Sequence, residues 1–335
     1  MKQRAYSSFS LERHLSAAGP RAAQFELTYA CPQKCVYCQT AGCAAPALSG
    51  KDAMRVLDTL AREKIIWLCL TGGDPLAHPD FRAIYARAKE LGFITTVFTN
   101  AVLVNKDTAD FFRRLPPFCV EVTLNACCER INKKITGTAG AFEKAVRGIK
   151  LLQSAGVKVK VKTMVGRFNY GGREKIARFI AREFGLPFTP LADINPTLCG
   201  SASPLKYRLP PEEFAAMCYD GQERAACEKT AFTCAAMGQE TVFINPSGEV
   251  RFCGLWKGES FNILTTPLAG GLAQIKRAAL KTLPVKIKCA DCKLRAYCGW
   301  CPARAALETA TIKPVDYYCA AAKKLYAFYK NGGKI

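Results

Sequence analysis

The chain has 335 residues, half of them apolar, which is enough for one large domain with a sizeable core and a smaller second one. Its formal charge of +21 favours an acidic partner such as a nucleic acid, an acidic peptide or a phosphorylated ligand. No signal peptide and no apolar run of about 18 residues can be found, which argues against a secreted disulfide scaffold and a membrane protein. The chain is therefore expected to be cytoplasmic, and in that reducing compartment the clustered ones among its 18 cysteines predict metal ligands rather than disulfides.

From residue 24 onward, strand-like and helix-like segments alternate, as judged from apolar periodicity and from the positions of glycine and proline. The predicted strands are 25–30, 65–73, 93–100, 118–125, 157–165 and 186–191. The predicted helices are 50–64, 79–92, 106–115, 140–156 and 172–185. Six such alternations predict an α/β fold, a partial (β/α)6 TIM-type barrel with parallel strands inside and helices outside. Chemistry is then expected at the carboxyl ends of the strands.

The first predicted strand is followed by three cysteines, Cys31, Cys35 and Cys38, spaced C-x3-C-x2-C. A loop this short can bring three thiolates to an iron–sulfur cubane and leave the fourth iron open for a substrate. The alternative is a structural zinc knuckle, which needs four ligands and would have to use Cys43 as the fourth.

Polar and glycine-rich residues follow the next three predicted strands. The segment TGGDP (71–75) ends the second strand, Asn100 ends the third, and Thr123 lies at the end of the fourth. Because the carboxyl ends of parallel strands lie on one rim, these residues and the cysteine loop are expected to form a single site.

From about residue 216 the cysteine pattern changes. The segments 227–234, 244–253 and 288–303 contain many turn residues and no long helical pattern, which predicts a small domain built around metal. Within the last segment the cysteines are spaced C-x2-C-x5-C-x2-C. Since paired C-x2-C spacings are also common in zinc sites, two zinc sites remain an alternative to iron–sulfur clusters.

The C-x3-C-x2-C loop after a first strand, with an aromatic residue before the third cysteine and a Gly-Gly-acid segment after the second strand, resembles the radical S-adenosylmethionine (radical SAM) enzymes. The resemblance implies a 4Fe-4S cluster on the first three cysteines, with SAM bound to its open iron. Reductive cleavage of SAM would then give a 5′-deoxyadenosyl radical that abstracts a hydrogen atom. This chain has Asp74 where the family has Glu. The SAM-binding residues implied by the resemblance are Tyr37, Gly72, Gly73, Asp74, Asn100 and Thr123.

The later cysteines resemble the SPASM extension of some radical SAM enzymes, which holds two auxiliary 4Fe-4S clusters and brings the expected total to three. By position, the implied ligands are Cys227, Cys234, Cys253 and Cys301 for the first cluster and Cys289, Cys292, Cys298 and Cys319 for the second. Cys218 is an alternative to Cys227. The implied domains are an N-terminal segment 1–23, a radical SAM barrel 24–215, a SPASM domain 216–325 and a tail 326–335.

SPASM-bearing enzymes mostly modify peptides, so the resemblance implies hydrogen abstraction from a ribosomally made precursor peptide and an oxidative thioether or carbon–carbon crosslink. Gly254 follows Cys253 where formylglycine-forming enzymes carry an Asp base, which argues against that reaction. Asp193, after the sixth strand, is a candidate for orienting the substrate. The implied partners are the peptide and an electron donor such as flavodoxin or ferredoxin. Because only residues 1–23 precede the barrel, the leader of the peptide is expected to be bound either by a separate leader-binding protein or by the barrel itself.

Two other functions remain open at this stage. One is a radical SAM–SPASM enzyme that acts on a small molecule or cofactor precursor, such as a tetrapyrrole. The other is a non-enzymatic iron–sulfur or zinc module that binds nucleic acid through its charge. No stripe of aromatic and basic residues supports nucleic-acid binding, so no nucleic-acid partner is expected.

Overall fold

A computed structural model describes residues 20–219, 241–282, 289 and 292–331, and its centre is a nine-stranded sheet. The first six strands are β1 (Ala22–Thr28), β2 (Trp67–Gly72), β3 (Ile94–Thr99), β4 (Cys119–Thr123), β5 (Val159–Met164) and β6 (Thr189–Leu191). They are parallel and lie in the order β6-β5-β4-β3-β2-β1, so strands adjacent in the chain are adjacent in the sheet. The predicted α/β fold with a partial barrel of parallel strands is confirmed.

Six helices connect or flank these strands. They are α1 (Gly50–Arg62), α2 (Phe81–Glu90), α3 (Lys106–Arg114), α4 (Glu129–Thr136), α5 (Ala141–Ser154) and α6 (Arg173–Phe184). Five were predicted. The Ser49 side chain caps the start of α1 by accepting a hydrogen bond from the Asp52 amide. The eight-residue α4 was not predicted, because its sequence is mostly polar. It ends at Gly137, which is left-handed with φ 66°.

Side chains alternate between the two faces of each strand. On β1, Phe25 and Leu27 are fully buried and share one core with residues such as Leu57 and Leu60 of α1. Burying each such side chain stabilises the fold by about 1.5–3 kcal/mol. Glu26 is only half-buried and belongs to the opposite, concave face, because successive strand residues point to opposite sides. The concave face is therefore the one that can receive a substrate.

The C-terminal part adds three strands and four helices. They are α7 (Pro211–Cys218), β7 (Thr241–Ile244), β8 (Glu249–Arg251), β9 (Phe261–Asn262), α8 (Leu268–Thr282), α9 (Pro302–Thr309) and α10 (Asp316–Lys330). β7 pairs in parallel with β1, and β8 and β9 follow as antiparallel strands, so the sheet continues across the predicted boundary near residue 215.

The helices α8 and α10 have 15 residues each and lie outside the three turn-rich cysteine segments. Both are rich in alanine, which favours helix without a strong apolar periodicity. In the part of the chain that the structure describes, every helix is too short or too polar to cross a membrane.

Candidate functional site

The cysteine loop leaves the carboxyl end of β1 and is held by the end of α4. The amides of Lys34 and Val36 donate to the carbonyls of Thr136 and Ile135, at 2.7 and 2.9 Å. Carbonyls in the last turn of a helix have no partner inside the helix, so they are available to fix a neighbouring segment. The unpredicted helix α4 therefore supports the loop that carries Cys31, Cys35 and Cys38.

The three thiols of this loop are half-buried and close enough to interact electrostatically. Burial raises the pKa of Cys31 to about 11 and that of Cys35 to about 12, and negative charge on the neighbouring thiols adds to both shifts. Cys31 Sγ also accepts hydrogen bonds from the Gln33 amide and from Asn100 Nδ2, both at 3.4 Å. Iron binding would offset the cost of gathering thiolates here, so the donor set fits a three-cysteine iron–sulfur site.

Cys43 forms a disulfide with Cys199, which lies 156 residues further along the chain. The adjacent backbone is joined as well, since the Leu198 amide donates to the Gln39 carbonyl at 2.7 Å. Neither contact was predicted. The disulfide occupies the sulfur that the zinc alternative needed as its fourth ligand. Within the described ranges, no three Cys, His, Asp or Glu side chains converge as they would around a single metal ion.

The glycines after β2 lie against the backbone that leads into the cysteine loop. Gly72 has φ 137° and packs on the Thr28 carbonyl. A Cβ on Gly73 would lie 2.5 Å from the Tyr29 carbonyl oxygen and 2.7 Å from that of Ala30. Only glycine allows this close approach, which brings the turn beside the first cysteine.

We expect Gly73→Ala to lower the affinity for SAM by about tenfold or more. The added methyl group forces the neighbouring backbone to move, and overpacking of this kind costs about 1–3 kcal/mol. Equilibrium dialysis with labelled SAM measures this. Gly171→Ala is the matched control, since a Cβ there meets no atom within 4 Å. Equal SAM affinity in the two variants would contradict a SAM site at this turn.

Asp74 is completely buried and ties the end of β2 to the end of β3. Its Oδ2 accepts hydrogen bonds from Thr99 Oγ1 at 2.8 Å and the Asn100 amide at 3.0 Å, and its Oδ1 accepts from the Leu76 amide at 3.0 Å. Burial raises the pKa of this carboxyl to about 6, although the hydrogen bonds oppose the shift. Asp74 thus positions Asn100, whose side chain reaches Cys31. The SAM contacts of Gly72, Gly73, Asp74 and Asn100 stay predictions.

The end of β4 contributes a residue that was not singled out from the sequence. Thr123, the predicted SAM contact, is exposed, whereas Asn125 is buried. Asn125 Nδ2 donates to Tyr37 Oη at 2.5 Å, and Asn125 Oδ1 accepts from the Met164 amide at 2.8 Å. The ring of Tyr37 also stacks on Phe168, with 5.6 Å between centroids. Asn125 thereby fixes the aromatic residue before Cys38, and its only sequence signal was an amide side chain at the end of a predicted strand.

The described cysteines of the second system differ in their surroundings. Cys253 and Cys301 pack against the main core, and each accepts a backbone hydrogen bond at 3.4 Å, from Leu255 and Arg304 respectively. The other group surrounds Cys298, whose pKa is raised mainly by burial and further by charge at Cys319 and Cys292. Cys289 packs in the same small cluster as Cys298.

Cys227 and Cys234 lie outside the described residues. The assignment of ligands to two auxiliary clusters stays a prediction. Asp193, the candidate for orienting substrate, accepts a hydrogen bond from Arg304 Nη1 at 2.9 Å and so joins the segment after β6 to α9. Its role towards substrate is also still a prediction.

Comparison with known proteins assigns the barrel portion. Residues 25–180 match the family model of the radical SAM superfamily. The mycofactocin maturase MftC of Mycobacterium tuberculosis is 31% identical over 176 residues, which is 51% of this chain and 44% of that protein. The AdoMet-dependent heme synthase of Methanosarcina barkeri is 24% identical over 339 residues, covering 90% of this chain and 96% of that protein.

Among solved structures, anSMEcpe with bound AdoMet and Cp18Cys peptide has the same fold, with a TM-score of 0.70 and 15% identity. The match covers 93% of this chain and 97% of that one. The chain spans less than half the length of the curated maturase that it matches. With the cysteine loop and the glycine turn placed at the carboxyl rim of the parallel strands, residues 25–180 of this chain form a radical SAM domain.

Proposed function

We propose that this chain is a radical SAM enzyme of the SPASM type that makes an oxidative crosslink in a ribosomally made peptide. The observation that carries the proposal is the rim of the barrel, where the three-cysteine loop, the Gly72–Gly73 turn and Asn100 meet above the concave face. A 4Fe-4S cluster on this loop would supply the electron that cleaves SAM into methionine and the 5′-deoxyadenosyl radical.

The chain's own residues would hold SAM and orient it. Gly72 and Gly73 would present backbone carbonyls to the SAM amino group, and Asn100 lies between Asp74 and Cys31. Tyr37 is fixed by Asn125 at the other side of the loop. In this arrangement the radical would form at the mouth of the concave face, where a peptide residue can reach it.

Three features favour a peptide as the substrate. The maturase MftC and the peptide-bound anSMEcpe are among the proteins that this chain resembles. The cysteines beyond the barrel would hold two auxiliary 4Fe-4S clusters that accept the second electron. The net charge of +21 would steer an acidic leader segment towards the enzyme. An external electron donor such as flavodoxin or ferredoxin, and a leader-binding protein, complete the proposal.

The full-length similarity to a heme synthase favours a second candidate, a radical SAM–SPASM enzyme that acts on a small cofactor precursor such as a tetrapyrrole. Both candidates share the SAM chemistry. They differ in the group that donates the hydrogen atom, so the substrate decides between them.

Co-expression of the enzyme with a short peptide encoded beside its gene tests the proposal. We expect the peptide to lose two hydrogens per crosslink, as measured by high-resolution mass spectrometry, and fragmentation to locate the bond. The variant with Cys31, Cys35 and Cys38 all changed to alanine is the control, and its peptide should be unmodified. If the peptide stayed unmodified after co-expression with a wild-type enzyme that still cleaves SAM, the result would instead favour the small-molecule candidate.

A further inference from the structure

The concave face of the barrel carries a carboxyl group that the proposed SAM site does not use. Glu26 lies on this face of β1, in register with Thr71 of β2 and therefore one residue below the Gly72–Gly73 turn. Its strand neighbours Phe25 and Leu27 point the other way, into the core. Glu26 thus lies just beneath the rim where the radical is proposed to form.

Glu26 is positioned by residues from the loop after β1 and from β8. Tyr29 Oη donates to Glu26 Oε2 at 3.0 Å, and no other hydrogen bond reaches the carboxyl group from the described residues. Arg251 of β8 faces it as a positive charge and is itself bonded to Glu249 at 3.0 Å. Arg251 Nε is buried and has no hydrogen-bond partner in the described part of the chain.

The surroundings of Glu26 suit proton transfer. Burial raises the pKa of its carboxyl group, and the hydrogen bond from Tyr29 and the charge of Arg251 oppose the shift. Glu249 of β8 and the thiol of Cys69 on β2 are the other titratable groups that face this cluster. A carboxyl group whose pKa is moved towards neutrality can accept a proton and release it again during turnover.

An oxidative crosslink needs such a group. Two hydrogens leave the peptide, and the first goes as an atom to the 5′-deoxyadenosyl radical. The second must leave as a proton and an electron. The residue after Cys253, where formylglycine-forming enzymes carry an Asp base, is Gly254 here. Arg251 of β8 lies two residues before Cys253. Because Glu26 faces Arg251, its carboxylate lies near the β7–β8 hairpin that leads to Cys253 and Gly254.

We propose that Glu26 is the general base of the crosslinking step, an inference that rests on the proposed function. As the substrate radical carbon bonds to a nucleophilic atom of the peptide, the bond between that atom and its hydrogen breaks. The proton goes to the Glu26 carboxylate, and the electron goes to a one-electron acceptor of the iron–sulfur class at the auxiliary site. Arg251 and Tyr29 are positioning residues for the carboxylate.

The test uses Glu26→Gln, Glu26→Asp and the control Glu121→Gln, whose carboxyl group lies on the same concave face and pairs with Lys162. Each purified enzyme receives a peptide deuterated at the attacked carbon. The readouts are 5′-deoxyadenosine, deuterium in it, crosslinked peptide and iron content. In Glu26→Gln we expect unchanged deuterium transfer and a crosslink yield per 5′-deoxyadenosine at least about 100-fold lower, the usual effect of losing a general base. Glu26→Asp should recover part of the yield.

The yield in the wild type should fall as the pH drops through the raised pKa of Glu26, because only the carboxylate accepts a proton, and Glu26→Gln should lack this limb. If Glu26→Gln kept the wild-type yield, or if deuterium transfer fell in parallel with the crosslink, the inference would be overturned while the proposed function stood. An equal loss in Glu121→Gln would also overturn it. If Glu26→Gln lost its iron, two other results would decide whether Glu26 is the base. These are the partial crosslink yield of Glu26→Asp and the fall in wild-type yield at low pH, and the absence of both would overturn the inference. A wild type that forms no crosslink contradicts the proposed function itself, and Glu26 as base with it.

Discussion

Changing Cys31, Cys35 and Cys38 together to alanine is expected to abolish reductive cleavage of SAM and to remove about four iron atoms per chain. Thiolates are the ligands of such a cluster, and the loop that carries them is held by α4 and not by the metal alone. The fold should therefore survive the loss. Iron and sulfide analysis, electron paramagnetic resonance of the reduced protein and chromatography of 5′-deoxyadenosine measure these effects.

Cys128→Ser is the matched control for the triple variant. Cys128 is the N-cap residue of α4, and serine is a good residue for that position. This variant should keep the wild-type iron content and SAM cleavage. The auxiliary sites should keep their iron in both variants. If the triple variant retained all of its iron, the first cluster would not lie on this loop.

The second large effect is expected from a buried ion pair between the barrel and the C-terminal helices. Arg208 Nη1 and Nη2 donate to the two carboxylate oxygens of Glu308 at 3.1 and 2.9 Å, and Arg208 Nε donates to the Ile194 carbonyl at 3.0 Å. The two side chains are only 7% and 14% exposed. The guanidinium also lies over the ring of Tyr317, 4.4 Å from its centroid.

Glu308→Ala should lower the free energy of unfolding by about 3–5 kcal/mol, because it leaves the Arg208 charge buried without a counter-ion. Urea denaturation followed by circular dichroism measures the change. Asp110→Ala, which breaks the exposed pair with Arg113, should cost no more than about 1 kcal/mol. The double variant Arg208→Met/Glu308→Leu should recover much of the loss, since apolar side chains need no partner. A Glu308→Ala effect as small as that of Asp110→Ala would contradict this role of the pair.

Much of the barrel could be predicted because its signals are local. The third strand was expected at 93–100 and lies at Ile94–Thr99, and the fourth was expected at 118–125 and lies at Cys119–Thr123. Apolar alternation and terminating glycines involve only a few neighbouring residues, so strands and helices can be predicted from them without knowledge of tertiary contacts. Helix α4 was not predicted, because its residues are mostly polar. Its role becomes visible only in the hydrogen bonds between its last turn and the cysteine loop.

The candidate site likewise has features that could be predicted from the sequence and features that only the structure shows. The sequence by itself determined the cysteine loop and the glycine turn, since the spacing of three thiols and the need for close backbone approach are properties of short segments. Only the tertiary structure decided that Asn125 holds Tyr37, that Cys43 bonds to Cys199 and that Glu26 faces Arg251. The partners in these contacts are 88, 156 and 225 residues apart, respectively, and no local pattern specifies which distant residues the folded sheet brings together.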